Sequence, residues 1–215
     1  LEFRIYDTGS VYLIGSLHKF WNNGVHNFND FEINGLFLVL NELKDKFNIS
    51  PHQLILRQLE LGVNIRPPYK SSKIIDYCFV HRSQSFKSMY TPNEGSYIQV
   101  QHSQYLIKIY DKQRQFSNKG FKIDEEILRF EIKYLKMEKL NKLKIFTLYD
   151  LLEYGLNKFI CVLVEEWQHI LFYDFTIKSK SITVLNYQNP IYWKNMVNNR
   201  RNSALNKHRR KLKEI

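Results

Sequence analysis

Tyr110 closes the segment LIKIYDK (106–112), a strand-like run ending in a Tyr-Asp-Lys triplet. A second strand-like run, ILRFEIKY (127–134), carries Glu131 at its centre. Upstream, LRQLELGVN (56–64) places Glu60 four residues before Asn64. A phenol, nearby lysines and acids on separate strands suit one reaction in particular. That reaction is attack on a phosphodiester, with the phenol as nucleophile, the acids around a divalent cation, and Lys112 offsetting phosphate charge. Side chains two or four apart on a strand share a face. Glu60 and Asn64 therefore point one way, with Gly62 between them leaving room for a ligand or another backbone. Lys108 shares a face with Tyr110, as does Lys112 if extension continues, and Glu131 shares one with Arg129 and Lys133. If the three strands are neighbours, one sheet face gathers two carboxylates, an amide oxygen, a phenol and several cations. That donor set suits Mg²⁺ or Mn²⁺. Each residue alone has a plainer reading: Tyr110 as a packing residue, Glu131 as part of a charge-paired face, Glu60 as a solvated side chain.

The elements that must position these groups read as follows. LEFRIY at the start and VYLIGSL (11–17) are predicted strands, followed by an Asn- and Gly-rich loop at 21–29. Asp30 caps a predicted helix over 31–47, where Phe31, Leu36, Leu40, Leu43 and Phe47 recur near helical spacing. Residues 54–65 read as a strand stopped by Pro67-Pro68. Ser71 or Ser72 caps a helix predicted to carry Ile74, Ile75, Cys78 and Phe79. The stretch 82–95 is a polar loop. SYIQVQ (96–101) and QYLIKIYD (104–111) are strands joined by a tight turn at His102-Ser103. A charged loop over 113–125 precedes ILRFEIKY. Thr147 starts a long helix over 148–168, and Asn189-Pro190 starts a basic helix to the C-terminus. Strands crowd the first two thirds and helices the end. This predicts an α+β fold: a central antiparallel sheet with helices packed on one face and a basic C-terminal helical segment. The sequence-level division is a sheet-bearing core over 1–140 and a helical part over 141–215.

The chain has 215 residues, 44% hydrophobic and 15% aromatic, enough for a substantial core. Its formal net charge of +11 points to a polyanionic partner. Charge concentrates at the end, where Arg200, Arg201, Lys207, Arg209, Arg210, Lys211 and Lys213 face only Glu214. Cys78 and Cys161 stand apart in apolar surroundings with no metal-ligand spacing, and read as buried free thiols of a reducing compartment. The longest apolar run, 159–164, is too short to cross a bilayer. No signal peptide is evident, so the expectation is a cytoplasmic protein without a membrane partner.

Taken in order, GSLHKFWNNGVHNFNDF (15–31), LRQLELGVN, SYIQV (96–100), LIKIYDK and ILRFEIKY resemble one family. They look like the rolling-circle replication initiators of filamentous phages (the gene-II type) and plasmids, particularly the Rep proteins of Bacteroidetes. The resemblance covers roughly residues 10–140. It implies that Tyr110 is the nucleophile and Lys112 its accompanying lysine. Glu60, Asn64 and Glu131 would be the metal-side residues, and Lys19, His26 and Asn27 loop residues at the DNA. It further implies Mg²⁺ or Mn²⁺, single-stranded or hairpin origin DNA bound also by Lys108 and the basic tail, and the host replication machinery as partner. A second subunit would form a homodimer if it supplies a second tyrosine. The expected reaction is nicking and rejoining of one strand through a phosphotyrosine linked to the 5′ phosphate. This sequence departs from the family in four ways: Gln58 stands where arginine is usual (Arg57 is adjacent), Glu60 where aspartate is, Asn64 carries no charge, and the N-terminal strands of a typical initiator are shortened or missing. Those departures leave open a catalytically inactive DNA-binding protein on the same fold. A third reading is an interaction protein whose basic tail meets an acidic partner.

Overall fold

The computed structural model describes residues 1–92, 95–199 and 202–215. In chain order its strands and helices begin with β1 (Glu2–Ile5), β2 (Val11–Ile14), α1 (Leu17–Trp21), α2 (Ile33–Phe47), β3 (Leu59–Ile65) and α3 (Ser71–Asp76). Next come β4 (Cys78–His81), β5 (Gln84–Ser85), β6 (Lys87–Thr91), β7 (Gly95–Gln101), β8 (Tyr105–Asp111), α4 (Lys112–Ser117) and β9 (Leu128–Tyr134). The remainder are α5 (Glu138–Lys142), α6 (Leu148–Tyr154), α7 (Lys158–Gln168), β10 (Ile170–Phe172), α8 (Ile182–Gln188), α9 (Pro190–Asn198) and α10 (Asn202–Lys213). The fold is α+β around a five-stranded antiparallel sheet, as the sequence predicts. The chain falls into two compact units, Leu1–Leu56 with Leu140–Tyr154, and Arg57–Lys139 with Gly155–Ile215.

In the first unit, β1 and β2 form a hairpin in which Glu2 pairs with Ile14. The helix α2 turns Leu36, Val39, Leu40 and Leu43 inward, a stripe at helical spacing. Its N-cap position is Glu32, not the expected Asp30, with no side-chain cap bond, and Asn48 ends it in the left-handed region. The Gly-Asn loop is more ordered than a bare loop. Ser16 accepts from the Lys19 amide to start α1, and Asn22 and Asn29 exchange side-chain hydrogen bonds. Thr147 and Asp150 cap each other's amides, so α6 begins where the sequence places a helix start.

The second unit holds the central sheet, in the order β3-β9-β8-β7-β6, all antiparallel. The alternation of its strands sends Ile98, Val100, Ile107, Ile109, Leu128, Phe130 and Ile132 to one face, where they are buried. Ile74 and Ile75 of α3 and Val162, Leu163 and Trp167 of α7 pack on that face. A second cluster joins β4 and β10 to the C-terminal helices through Tyr173, Tyr187, Trp193 and Leu205.

Several local expectations are corrected. Cys78 and Phe79 lie on the buried strand β4, which pairs with β10, and not on a helix. The polar stretch 82–95 holds β5 and β6. Part of the charged loop 113–125 is the helix α4. The long helix over 148–168 is two helices, parted at Gly155, whose φ of +94° no helix tolerates. Asn189 does cap α9 through its side chain, but the residues that follow form α9 and α10 rather than one helix. Arg200 and Arg201 lie outside the described residues. Both cysteines are free, yet only Cys78 is buried; Cys161 faces solvent on α7.

Candidate active site on the polar face of the sheet

The sheet register settles which side chains share the face opposite the core. Glu60 pairs with Lys133, Gly62 with Glu131 and Asn64 with Arg129 across β3 and β9. Lys108 pairs with Glu131 and Tyr110 with Arg129 across β8 and β9, and Tyr97 lies opposite Tyr110 on β7. Since directly paired residues point to the same side, Glu60, Asn64, Glu131, Arg129, Lys133, Lys108 and Tyr110 form one polar field. The strand period of two in the sequence fixes each row, and the antiparallel order of β3, β9 and β8 brings the rows together.

At the centre, the Tyr110 hydroxyl donates to Glu131 Oε1 at 2.9 Å. Arg129 Nε donates to the same oxygen at 2.9 Å, and Arg129 Nη1 reaches Asn64 Oδ1 at 3.2 Å. Tyr110 and Glu131 are each only 5% exposed. Burial, and next the charge of Glu131, hold the Tyr110 phenol well above its ordinary value, against the pull of Arg129. Partial desolvation and the charge of Glu131 likewise push the Glu60 carboxyl up, and Lys133 Nζ stands 3.8 Å from it. The space over Gly62 is taken by protein. A Cβ there would meet Glu131 Cγ at 2.6 Å and the Arg129 guanidinium at 2.8 Å. The glycine makes room for the acid–arginine pair rather than leaving an open slot.

Of the two lysines the sequence sets beside Tyr110, Lys108 is there and Lys112 is not. Extension stops at Asp111, whose side chain accepts from the Arg114 amide and caps α4. Lys112 therefore opens a helix and is fully buried, with its amide bonded to the Ile127 carbonyl. Lys108 is the lysine at the phenol: its Nζ sits 4.1 Å from the Tyr97 ring centre and 5.2 Å from that of Tyr110.

Lys19, His26 and Asn27 belong to the first unit. Lys19 is exposed on α1, and His26 stacks on Phe28 at 4.1 Å. On α10, Lys207, Arg210 and Lys211 face outward, whereas half-buried Arg209 donates Nη2 to the His169 carbonyl at 3.2 Å.

A second polar cluster, unforeseen in the sequence, joins β4, the β7–β8 turn and α7. Glu166 takes Arg82 at 2.9 Å, the Tyr105 hydroxyl at 3.0 Å and His81 Nε2 at 3.0 Å. His81 Nδ1 meets His102 Nε2 at 2.8 Å. Burial raises the Glu166 carboxyl, but hydrogen bonds from His81, Arg82 and Tyr105 outweigh it and keep that acid ionised far below the usual carboxylate range. The only sequence signal was polar residues punctuating apolar runs; their partners come from distant segments.

Glu60, Asn64 and Glu131 are the oxygen donors on this face that could hold a hard cation such as Mg²⁺ or Mn²⁺, and Arg129 lies on the oxygens of Asn64 and Glu131. Among the described residues, no group of three or more His, Cys, Asp or Glu side chains is gathered for a metal, and no helix is long and apolar enough to cross a membrane. No protein-family model, curated protein or solved structure matches the chain.

Proposed function

We propose that the polar face is a phosphodiester-transfer site in which a tyrosine attacks DNA. Within that class, the reading best supported is a replication initiator that nicks and rejoins one strand of origin DNA. The observation that carries it is the Tyr110 hydroxyl 2.9 Å from Glu131, on a face shared with Glu60, Asn64, Arg129 and Lys108.

In this reading Tyr110 Oη attacks the scissile phosphorus while Glu131 Oε1 accepts the phenolic proton. The bond from phosphorus to the 3′ oxygen breaks with its electron pair on that oxygen, which takes a proton from water and becomes the hydroxyl that primes a polymerase. The phosphotyrosine keeps the 5′ end, so the reverse attack reseals the strand. Glu60, Asn64 and Glu131 would hold a divalent cation whose chemistry there is to polarise the phosphate. Lys108 and Arg129 supply positive charge beside the phenol. This matters because the phenol is held high by burial and by Glu131, and added positive charge is what brings it toward ionisation. Exposed Lys207, Arg210 and Lys211 contribute backbone contacts to hairpin or single-stranded DNA, in the cytoplasm and alongside host replication proteins.

The test is incubation with labelled single-stranded origin DNA and Mn²⁺, followed by a denaturing gel. Wild type is expected to carry label covalently and Tyr110→Phe to carry none. Label absent from wild type, or present on Tyr110→Phe, overturns the reading. The guanidinium lying between Asn64 and Glu131 favours one rival, a DNA-binding protein that does not cut. That rival expects salt-sensitive DNA affinity unchanged by chelator and by Tyr110→Phe, with no adduct.

A further inference from the structure

We propose that Arg129 is a resident counter-cation of the polar face: it holds Asn64 and Glu131 while no metal is bound, and turns to the DNA phosphate when a divalent cation displaces it. The inference rests on the metal-site reading above and adds a switch to it. The Arg129 guanidinium bridges the two groups through Nε to Glu131 Oε1 at 2.9 Å and Nη1 to Asn64 Oδ1 at 3.2 Å. Both acceptors belong to the donor set a cation would use, and the guanidinium lies against Gly62, midway between Glu60 and Asn64 on β3. Two positive centres in one half-buried site repel, so a cation and this placement of the guanidinium exclude each other. The side chain is one of three rows on the face, opposite Tyr110 across β8 and β9. Released from Asn64 and Glu131, it remains beside the nucleophile, and its planar fork of donors matches a phosphodiester.

The consequence is a coupling between metal and DNA carried by one side chain. Without metal, Arg129 satisfies Glu131 and Asn64 and the site stays closed to phosphate. With metal, the same charge becomes available to the strand that Tyr110 attacks. The coupling is reciprocal, so DNA must also tighten the metal.

The experiment titrates Mn²⁺ by the loss of its free paramagnetic signal, with and without an uncleavable single-stranded oligonucleotide, and reads oligonucleotide affinity by anisotropy. Thermal melts confirm that each variant folds. Without DNA, Arg129→Gln is expected to bind Mn²⁺ about tenfold more tightly than wild type, within the range usual for coupled sites. Arg129→Lys, whose ammonium lacks the two-armed fork, should shift the same way and covers the case in which the glutamine variant does not fold. In wild type, Mn²⁺ should strengthen oligonucleotide binding; in Arg129→Gln that gain should vanish. Equal Mn²⁺ affinity in wild type and both variants, with the same gain from DNA, overturns the switch and leaves the metal site standing. Mn²⁺ bound by no form of the protein overturns the metal site and the switch together.

Discussion

The bond from Tyr110 to Glu131 fixes what the central residues can be asked to do. A buried phenol facing a carboxylate keeps its proton, and each unit of pKa elevation is worth about 1.4 kcal/mol against the phenolate. In the proposed reaction, attack by Tyr110 therefore depends on cationic charge at the face. Tyr110→Phe should leave the fold intact and cost about 1 kcal/mol, the worth of one hydrogen bond, in a urea melt. A drop of several kcal/mol would instead mark the hydroxyl as structural. Gly62 gives a sharper result. Its Cβ would strike Glu131 and Arg129, so Gly62→Ala should destabilise by about 1 to 3 kcal/mol and impair any cleavage. A neutral Gly62→Ala in the same melt would show that the pair moves freely. At this scale the sequence discloses which residues share a face, because spacing on a strand determines it. It does not disclose that Arg129 takes the oxygens of both Asn64 and Glu131, since that depends on which strands become neighbours. Nor does it disclose that Lys112 leaves the face, which follows from Asp111 ending the strand as a helix cap.

At the scale of elements, β4, α7 and the β7–β8 turn meet at Glu166. Removing that acid would leave Arg82 and the buried Tyr105 hydroxyl without their acceptor, so Glu166→Ala should cost about 1 to 3 kcal/mol by denaturant titration. A cost under about 1 kcal/mol would show that water replaces the acid. The same junction sets a pH dependence. Burial, and then the neighbouring His81, hold the His102 imidazole down to about 4 from 6.5. The unfolded chain thus takes up that proton first as pH falls, and stability present above 6.5 drains away toward 4. Glu166, held low, acts in the same direction below 4.5, its ordinary value. Melting temperature should be flat near neutral pH and fall on acidification. A His102→Asn variant should flatten the upper part of that fall, and a melting temperature rising with acid would contradict the assignment. β8 and β9 were legible because their alternation is strong over seven residues each, whereas β3 was read from residue 54 and begins at Leu59, since its burial alternates poorly. The strand β4 was not, because its pairing partner β10 is three residues long and follows α7. The break between α6 and α7 was signalled only by Gly155, a residue that many helices accept when its φ stays negative.

For the whole molecule, the net charge of +11 governs association with a polyanion more than it governs the fold. The logarithm of the affinity for single-stranded DNA should fall linearly with log salt. Replacing Lys207, Arg210 and Lys211 together by alanine should lower that slope by about 2, at about 0.7 for each phosphate no longer neutralised. An unchanged slope would place the DNA elsewhere. Strands ahead of helices were visible along the sequence and yield the α+β class. The grouping of residues 140–154 with residues 1–56 was not, because it arises from packing: Leu54 and Leu56 hydrogen-bond to the segment 146–148, a long-range pairing without a local signature.

The strand order carries one more consequence. β3 is synthesised first among the five strands of the sheet, yet its sole neighbour there is β9, the last of them. On the ribosome, Leu59–Ile65 has no partner in the sheet until β9 begins to leave the exit tunnel, its first possible pair being Ile65 with Leu128, while β6, β7 and β8 can already zip in succession. The half of the polar face contributed by Glu60 and Asn64 therefore assembles last, and a chain interrupted before β9 has three zipped strands and no acid centre.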